Sequence, residues 1–254
     1  MIPYVSLSPL QVGFVKVDPF LVLVGIGVVV AFYSILNRAK TTGLDTKAIY
    51  SLTVWIILGS FFTAHLFSML FDFPHRLVEK PWELFFIWAP LSSTGGFLGA
   101  VAVVLTFVRL YRISFLAYSD VLMWGFIPGW IVGRLGCSLA HDHPGSPSTF
   151  ILAIQYPGGA RHDLGFYEFL FTLLILWPLS RYIGNRTKTE GLLTALIALL
   201  YLPVRFGFDF LRAWDDIPGM DPRYEGLTAA QWVCLPLFAG ALVLFTHVVS
   251  QRQR

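Results

Sequence analysis

The chain has 254 residues, of which 56% are hydrophobic and only 13% are charged. Soluble domains carry roughly 25% charged residues, so this composition excludes an ordinary water-soluble protein. The formal net charge is +3, and no basic stripe interleaved with aromatic residues accompanies it. Nucleic acid is therefore not an expected partner, whereas the membrane is.

Seven apolar stretches are long enough to cross a bilayer, which takes about 20 residues per helix. They lie near residues 19–37, 50–72, 84–108, 115–137, 165–182, 191–211 and 229–249. No internal repeat divides them. The sequence predicts an all-α integral membrane protein of about seven transmembrane helices, with residues 1–254 forming a single polytopic membrane domain.

Basic residues are concentrated in alternate connections between these stretches. Ten of them follow the first, third, fifth and seventh stretches: Arg38, Lys40, Lys47, Arg109, Arg112, Arg181, Arg186, Lys188, Arg252 and Arg254. By the positive-inside rule these segments are cytoplasmic. The N-terminus is then expected outside and the C-terminus in the cytoplasm, with outward loops at 140–163 and 213–228.

Arg134 lies in the fourth apolar stretch, after Gly133 and three residues before Cys137. A cation at membrane depth costs several kcal/mol, so such a residue usually binds an anion or lines a polar cavity. The guanidinium fork also matches the paired oxygens of a phosphate. Alternatively, Arg134 is a structural arginine paired with an acid such as Glu168, whose expected partner is in turn an arginine.

Tyr201, Arg205 and Asp209 are spaced four residues apart in the sixth stretch, which places them on one helix face. A polar stripe on an apolar helix is expected to face a cavity, where Arg205 would hold a phosphate oxygen. The alternative is a self-contained ion pair that fixes helix packing, since intramembrane charges do pair with one another.

The loop at 140–163 supplies the candidate proton acceptors, because histidine titrates near neutral pH. These are His141, His143 and His162. Together with Asp142 or Asp163 they also offer a set of metal ligands, which leaves open a metal-assisted lipid enzyme. In the third stretch, Thr94, Gly95 and Gly96 are small residues of the kind that permit close helix packing. Neither Cys137 nor Cys234 is expected in a disulfide framework.

Several of these motifs, in the same order along nearly the whole chain, resemble the prolipoprotein diacylglyceryl transferase family. They are Gly133-Arg134-Leu135-Gly136 with Gly145, Tyr167-Glu168, Tyr201 to Asp209, and Gly226-Leu227-Thr228 with Gln231. The resemblance implies a bacterial inner-membrane enzyme with its active site towards the outer face. Such an enzyme moves the diacylglyceryl group of phosphatidylglycerol to the lipobox cysteine thiol of a prolipoprotein signal peptide, with no cofactor or metal.

The resemblance also implies roles for individual residues. The expected catalytic set is Arg205, Tyr201, Asp209 and Glu168, to which the loop histidines His141, His143 and His162 are added as candidates for the base that the family histidine would supply. The expected phosphatidylglycerol-binding set is Arg134, Gly133, Cys137, Asp142, Gly145, Thr94, Gly95 and Gly96. The family's His-Gly-Gly motif reads Thr94-Gly95-Gly96 here, and its asparagine after the signature arginine is Cys137. A non-catalytic phospholipid-binding relative is therefore the main alternative.

Overall fold

The computed structural model describes residues 1–5, 7, 9–12, 15–85, 91–141, 144–213 and 222–252. Seven helical segments in this part of the chain are long and apolar enough to cross a membrane. We call them spans 1 to 7: Pro19–Thr42, Thr46–Asp72, Ser93–Tyr111, Phe115–Ala140, Leu164–Arg186, Leu192–Leu211 and Ala229–Gln251. The predicted fold class and number of spans are confirmed.

Three spans are not α-helical throughout. Span 2 ends in a π-helical turn at Ser68–Asp72, and span 5 contains another at Thr172–Leu176. Span 6 ends in a 3-10 turn at Asp209–Leu211. Because this turn tightens the backbone, Asp209 remains close to the preceding helical turn while the chain leaves the bundle.

The predicted start of span 3, at residue 84, is wrong. Pro81–Phe85 forms a separate 3-10 helix after the short helix Pro74–Glu79, and span 3 begins only at Ser93. The preceding Ser92 has an extended backbone, as expected of a residue that precedes a helix. The sequence placed the start of this span too early, because residues 84–91 are as apolar as the helix itself.

The segments predicted to face outward contain short strands that the sequence did not predict. Strands β1 (Ile2–Pro3), β4 (Pro144–Pro147), β5 (Ile154–Tyr156) and β6 (Gly159–Asp163) form one sheet in the order β1-β5-β6-β4. Two hairpins pair β2 (Leu10–Val12) with β3 (Val15–Val17), and β7 (Arg223–Tyr224) with β8 (Leu227–Thr228). The N-terminal strand and the 140–163 loop therefore lie at the same end of the bundle, which we call the sheet end.

The largest apolar core cluster lies at the opposite end of the bundle, among spans 1 to 4. Its buried members are Ile35, Ala39, Ile49, Leu52, Val104, Phe107, Tyr118, Val121 and Leu122. A second cluster joins spans 4, 5 and 6 through Ile127, Leu176, Leu193 and Ile197. These clusters leave the sheet-end turns of spans 4, 5 and 6 for polar side chains.

Candidate functional site

Arg134 and Glu168 form an ion pair between spans 4 and 5. Arg134 is 2% exposed and Glu168 is 4% exposed, with Arg134 Nη2 at 2.8 Å from Glu168 Oε1. Asp163 caps the start of span 5 by accepting a hydrogen bond from the backbone N–H of Phe166 at 2.8 Å, so Glu168 comes just after the first helical turn. The prediction that Glu168 pairs with an arginine is confirmed.

This ion pair does not use all the hydrogen-bond donors of Arg134. Its Nη1 contacts the sulfur of Cys137 at 3.6 Å. Among the described residues Nε has no acceptor, and Nη2 makes no directed hydrogen bond although it lies 2.8 Å from Glu168 Oε1. The guanidinium carbon lies 4.3 Å from the ring centroid of Trp130, whose buried indole N–H likewise has no acceptor among these residues. Such unsatisfied donors are rare in proteins, and an anion with several oxygens would satisfy them.

Glu168 joins the Arg134 pair to the polar stripe of span 6. The hydroxyl of Tyr201 donates to the same Oε1 that faces Arg134, and Arg205 Nη1 donates to Asp209 Oδ1. Electrostatic interactions also link Arg205 with Arg134 and Glu168. The two predicted constellations therefore form one cluster, the Arg134–Arg205 site, made of Arg134, Glu168, Tyr201, Arg205 and Asp209.

Asp209 holds the sheet end of span 6 to the segment before span 7. Its carboxylate accepts from Arg212 Nε at 2.8 Å and from Thr228 Oγ1 at 2.5 Å. Its backbone carbonyl accepts from Arg223 Nη2 at 3.1 Å. The sequence analysis missed this role of Arg212 and Thr228, although Arg212 at i+3 from Asp209 was a usable signal.

Gly145 lies where β4 meets the end of span 6. A Cβ atom at this position would be 2.6 Å from the carbonyl oxygen of Leu211 and 2.7 Å from Cβ of His162. Arg161 Nη1 donates to the carbonyl of Gly145 at 3.0 Å. Glycine permits this approach of three segments, so Gly145 positions the sheet against the site.

His141 has both ring nitrogens engaged. Nδ1 lies 2.6 Å from Asp163 Oδ2, and Nε2 lies 3.1 Å from the carbonyl oxygen of Val5. Tyr4 stacks on the imidazole with ring centroids 4.3 Å apart. This arrangement favours a structural role for His141, in which it ties the N-terminal segment to span 5.

His162 is placed differently, on the wall of an open apolar pocket of about 420 Å³. Its Nδ1 lies 2.9 Å from the hydroxyl of Tyr167, whereas Nε2 has no partner among the described residues. Desolvation lowers the pKa of His162 below its ordinary value, so the imidazole is neutral near pH 7. Phe150 and Phe208 line the same pocket.

The remaining candidates have separate positions. Asp142 and His143 lie outside the described residues, and within those described no group of three or more His, Cys, Asp and Glu side chains could hold a metal ion. A Cβ at Gly95 would lie 2.4 Å from Cβ of Phe67, which confirms the predicted close packing of span 3. A Cβ at Gly133 would meet no described atom within 4 Å, so the backbone of span 4 borders open space one residue before Arg134.

The fold and the site define a polytopic membrane protein with two buried arginines at one end of its bundle. The family model for prolipoprotein diacylglyceryl transferase matches residues 9–247. The chain therefore belongs to the prolipoprotein diacylglyceryl transferase family, as the resemblance of its motifs indicated.

Individual relatives match over most of their own length. A protein of Bordetella avium is 29% identical over 224 residues, which cover 86% of this chain and 84% of the relative. One of Chromohalobacter salexigens is 27% identical over 259 residues, which cover 100% of this chain and 96% of the relative. Both relatives are named phosphatidylglycerol-prolipoprotein diacylglyceryl transferase.

Proposed function

We propose that this chain transfers the diacylglyceryl group of phosphatidylglycerol to the lipobox cysteine thiol of a prolipoprotein signal peptide. A carbon–sulfur bond forms between the glyceryl carbon and the thiol sulfur, while the carbon–oxygen bond to the phosphate breaks. Glycerol phosphate leaves, and the thiol proton passes to a base. The protein acts in the bacterial inner membrane, with the Arg134–Arg205 site towards the outer face.

The observation that carries this proposal is the unsatisfied fork of Arg134. In the described part of the chain its Nε has no acceptor, its Nη2 faces Glu168 Oε1 at 2.8 Å without a directed hydrogen bond, and the indole N–H of Trp130 beside it also lacks an acceptor. A phosphate diester offers two oxygens at the spacing of this fork. Span 4 also borders open space at Gly133, one residue before Arg134, and we propose that the lipid head group approaches there.

The two carboxylates are compatible with phosphate binding. An unpaired guanidinium among apolar helices would be very costly, so Glu168 and Asp209 neutralise the arginines while no lipid is bound. Glu168 makes an ion pair with Arg134 but does not use all of the hydrogen-bond donors of Arg134. As the phosphate departs it gains negative charge, and guanidinium groups fixed in a water-poor site stabilise that charge.

The proton acceptor in this proposal is His162. It is neutral near pH 7, because desolvation lowers its pKa, and its Nε2 has no partner in the described part of the chain. The pocket beside it has apolar walls that suit the apolar residues around a lipobox cysteine. His141 instead holds Asp163 and the N-terminal segment, which makes it a positioning residue.

The test is transfer by purified protein in liposomes that contain phosphatidylglycerol and a lipobox peptide, with the thioether product measured by mass spectrometry. We expect Arg134→Gln to lower the rate on the order of 100-fold, since a fixed donor to a developing charge is worth that much. Arg134→Lys should recover little, because an ammonium is a point charge without a fork.

Arg109→Gln is the matched control, because it removes the same charge from an exposed position at the other end of the bundle. Parent-like turnover by Arg134→Gln would refute the proposed phosphate site. A parent protein that binds phosphatidylglycerol but forms no thioether would instead identify a non-catalytic phospholipid-binding relative.

A further inference from the structure

A second arginine cluster lies at the end of the bundle opposite the sheet. Arg38 of span 1 and Arg181 of span 5 both pack on the indole of Trp124 in span 4. Their guanidinium carbons are 4.9 and 3.5 Å from the centroid of that ring. The two like charges repel each other, yet the fold holds them together.

The cluster contains more donors than acceptors. Arg38 donates to the carbonyl of Gly184, but Arg181 has no hydrogen bond or carboxylate partner within the described ranges. The indole N–H of Trp124 is buried and also lacks an acceptor in the part of the chain that the structure describes. Arg134 with Trp130 shows the same combination at the sheet end.

Asp120, the acid that interacts with this cluster, does not supply the missing hydrogen-bond acceptor. Asp120 attracts Arg38 electrostatically, but its carboxylate accepts from the backbone N–H of Gly191 at 2.9 Å and from Thr194 Oγ1 at 2.7 Å. Those bonds cap the start of span 6. Asp120 therefore leaves Arg181 and the indole N–H of Trp124 available to an external anion.

The backbone is shaped around this cluster. A Cβ at Gly184 would lie 2.6 Å from Cδ1 of Trp124 and 3.5 Å from Nη2 of Arg38, so glycine leaves the room that both side chains occupy. Arg38 comes four residues before the end of span 1 and Arg181 five before the end of span 5. At 1.5 Å per residue both lie about 6–8 Å inside the helix ends, near the depth of lipid head groups.

We propose that Arg38, Trp124 and Arg181 bind a phosphate group, supplied by an anionic phospholipid of the leaflet at that end of the bundle. Basic clusters at the cytoplasmic ends of membrane helices are suited to anionic head groups, and the same chemistry would accept soluble phosphate. This site differs from the Arg134–Arg205 site and does not depend on transfer activity. Its ligand would fix spans 1, 4 and 5 relative to one another.

The test is native mass spectrometry of delipidated protein titrated with phosphatidylglycerol, in an Arg134→Gln background that removes the proposed substrate site. We expect Arg181→Gln to weaken the remaining lipid binding about 10-fold, as for loss of a charge-assisted hydrogen bond. Trp124→Phe, which keeps the ring and removes the N–H, should weaken it about 3-fold. Arg186→Gln is the control, because Arg186 is exposed on the same helix and packs on Tyr182.

Two further arms make the result decisive. In the parent background, Arg181→Gln should bind one phosphatidylglycerol fewer than Arg186→Gln does, which keeps the test valid if Arg134→Gln folds poorly. Thermal stabilisation of the parent, but not of Arg181→Gln, by inorganic phosphate without lipid retention would identify a soluble phosphate as the ligand. Equal lipid and phosphate binding by Arg181→Gln and Arg186→Gln would overturn the proposal.

Discussion

Replacing Glu168 with glutamine separates the structural role of Arg134 from its proposed role in binding lipid. Glutamine keeps the size of the side chain and an oxygen for Tyr201, but it removes the charge that neutralises Arg134. The pair is almost completely buried, with side-chain exposures of 3% and 5%. Breaking such a pair costs about 3–5 kcal/mol, because one charge remains buried without compensation.

Phosphatidylglycerol should reverse part of this loss. If its phosphate binds the fork of Arg134, it replaces the missing negative charge, and the Glu168→Gln variant should gain more from the lipid than the parent does. A ligand at 100 times its dissociation constant stabilises the folded state by about 2.7 kcal/mol. One kcal/mol corresponds to about 2–4 °C in melting temperature. Without lipid, we expect Glu168→Gln to melt about 6–20 °C below the parent. With phosphatidylglycerol, this difference between the two proteins should be visibly smaller.

The assay is thermal unfolding in detergent micelles, with and without phosphatidylglycerol, and with phosphatidylethanolamine as the zwitterionic comparison. Glu190→Gln is the control, since that exposed acid makes only a hydrogen bond from Ser114 at 3.1 Å. The double variant Arg134→Gln/Glu168→Gln should regain most of the stability and lose the lipid effect. An equal lipid shift in the parent and in Glu168→Gln would show that Arg134 does not contact the phosphate.

Three further changes test other parts of the fold. Gly145→Ala should destabilise the protein by about 1–3 kcal/mol, because its Cβ would collide with backbone atoms. Gly158→Ala is the control, since a Cβ there meets no described atom within 4 Å. Melting temperatures of the two variants measure the difference. Asp120→Ala should lower the free energy of unfolding by about 2 kcal/mol, because it removes the side chain that caps the start of span 6. The stability of Asp120→Asn should lie between that of Asp120→Ala and that of the parent. Burial lowers the pKa of His162, so the unfolded chain binds more protons than the folded chain. The free energy of unfolding should therefore fall as the pH drops through about 6.5. In His162→Gln, a plot of the free energy of unfolding against pH should be flatter in this range.

Local patterns in the sequence predicted the spans, their polar faces and the need of a buried charge for a partner. The number of spans, the shared face of Tyr201, Arg205 and Asp209, and an arginine partner for Glu168 all follow from apolar length, helical spacing and the cost of a buried charge. Hydropathy failed at the start of span 3, because an apolar segment outside a helix has the same composition as one inside it.

Most other contacts between distant segments could not be predicted from these patterns. Thr228 reaches the carboxylate of Asp209 across 19 residues, and Gly184 accepts a hydrogen bond from Arg38 across 146. No periodicity encodes such pairs, since they depend on how the spans pack. The strands of the 140–163 loop were missed for a related reason: β1, at the far end of the chain, completes their sheet.

A buried arginine in a membrane protein is often explained by its carboxylate partner alone, but Arg134 shows why a count of charges is incomplete. Glu168 balances the charge, yet hydrogen bonding depends on direction. Within the described part of the chain Nε of Arg134 has no acceptor, and Nη2, although 2.8 Å from Glu168 Oε1, makes no directed hydrogen bond. Arg205 differs, because Asp209 accepts directly from its Nη1 and the end of span 6 holds that carboxylate in place. We therefore propose that Arg134 is the arginine that receives a phosphate, whereas Arg205 contributes mainly a fixed positive charge. This difference predicts that Arg134→Lys should impair lipid binding more than Arg205→Lys, and equal binding by the two variants would contradict it.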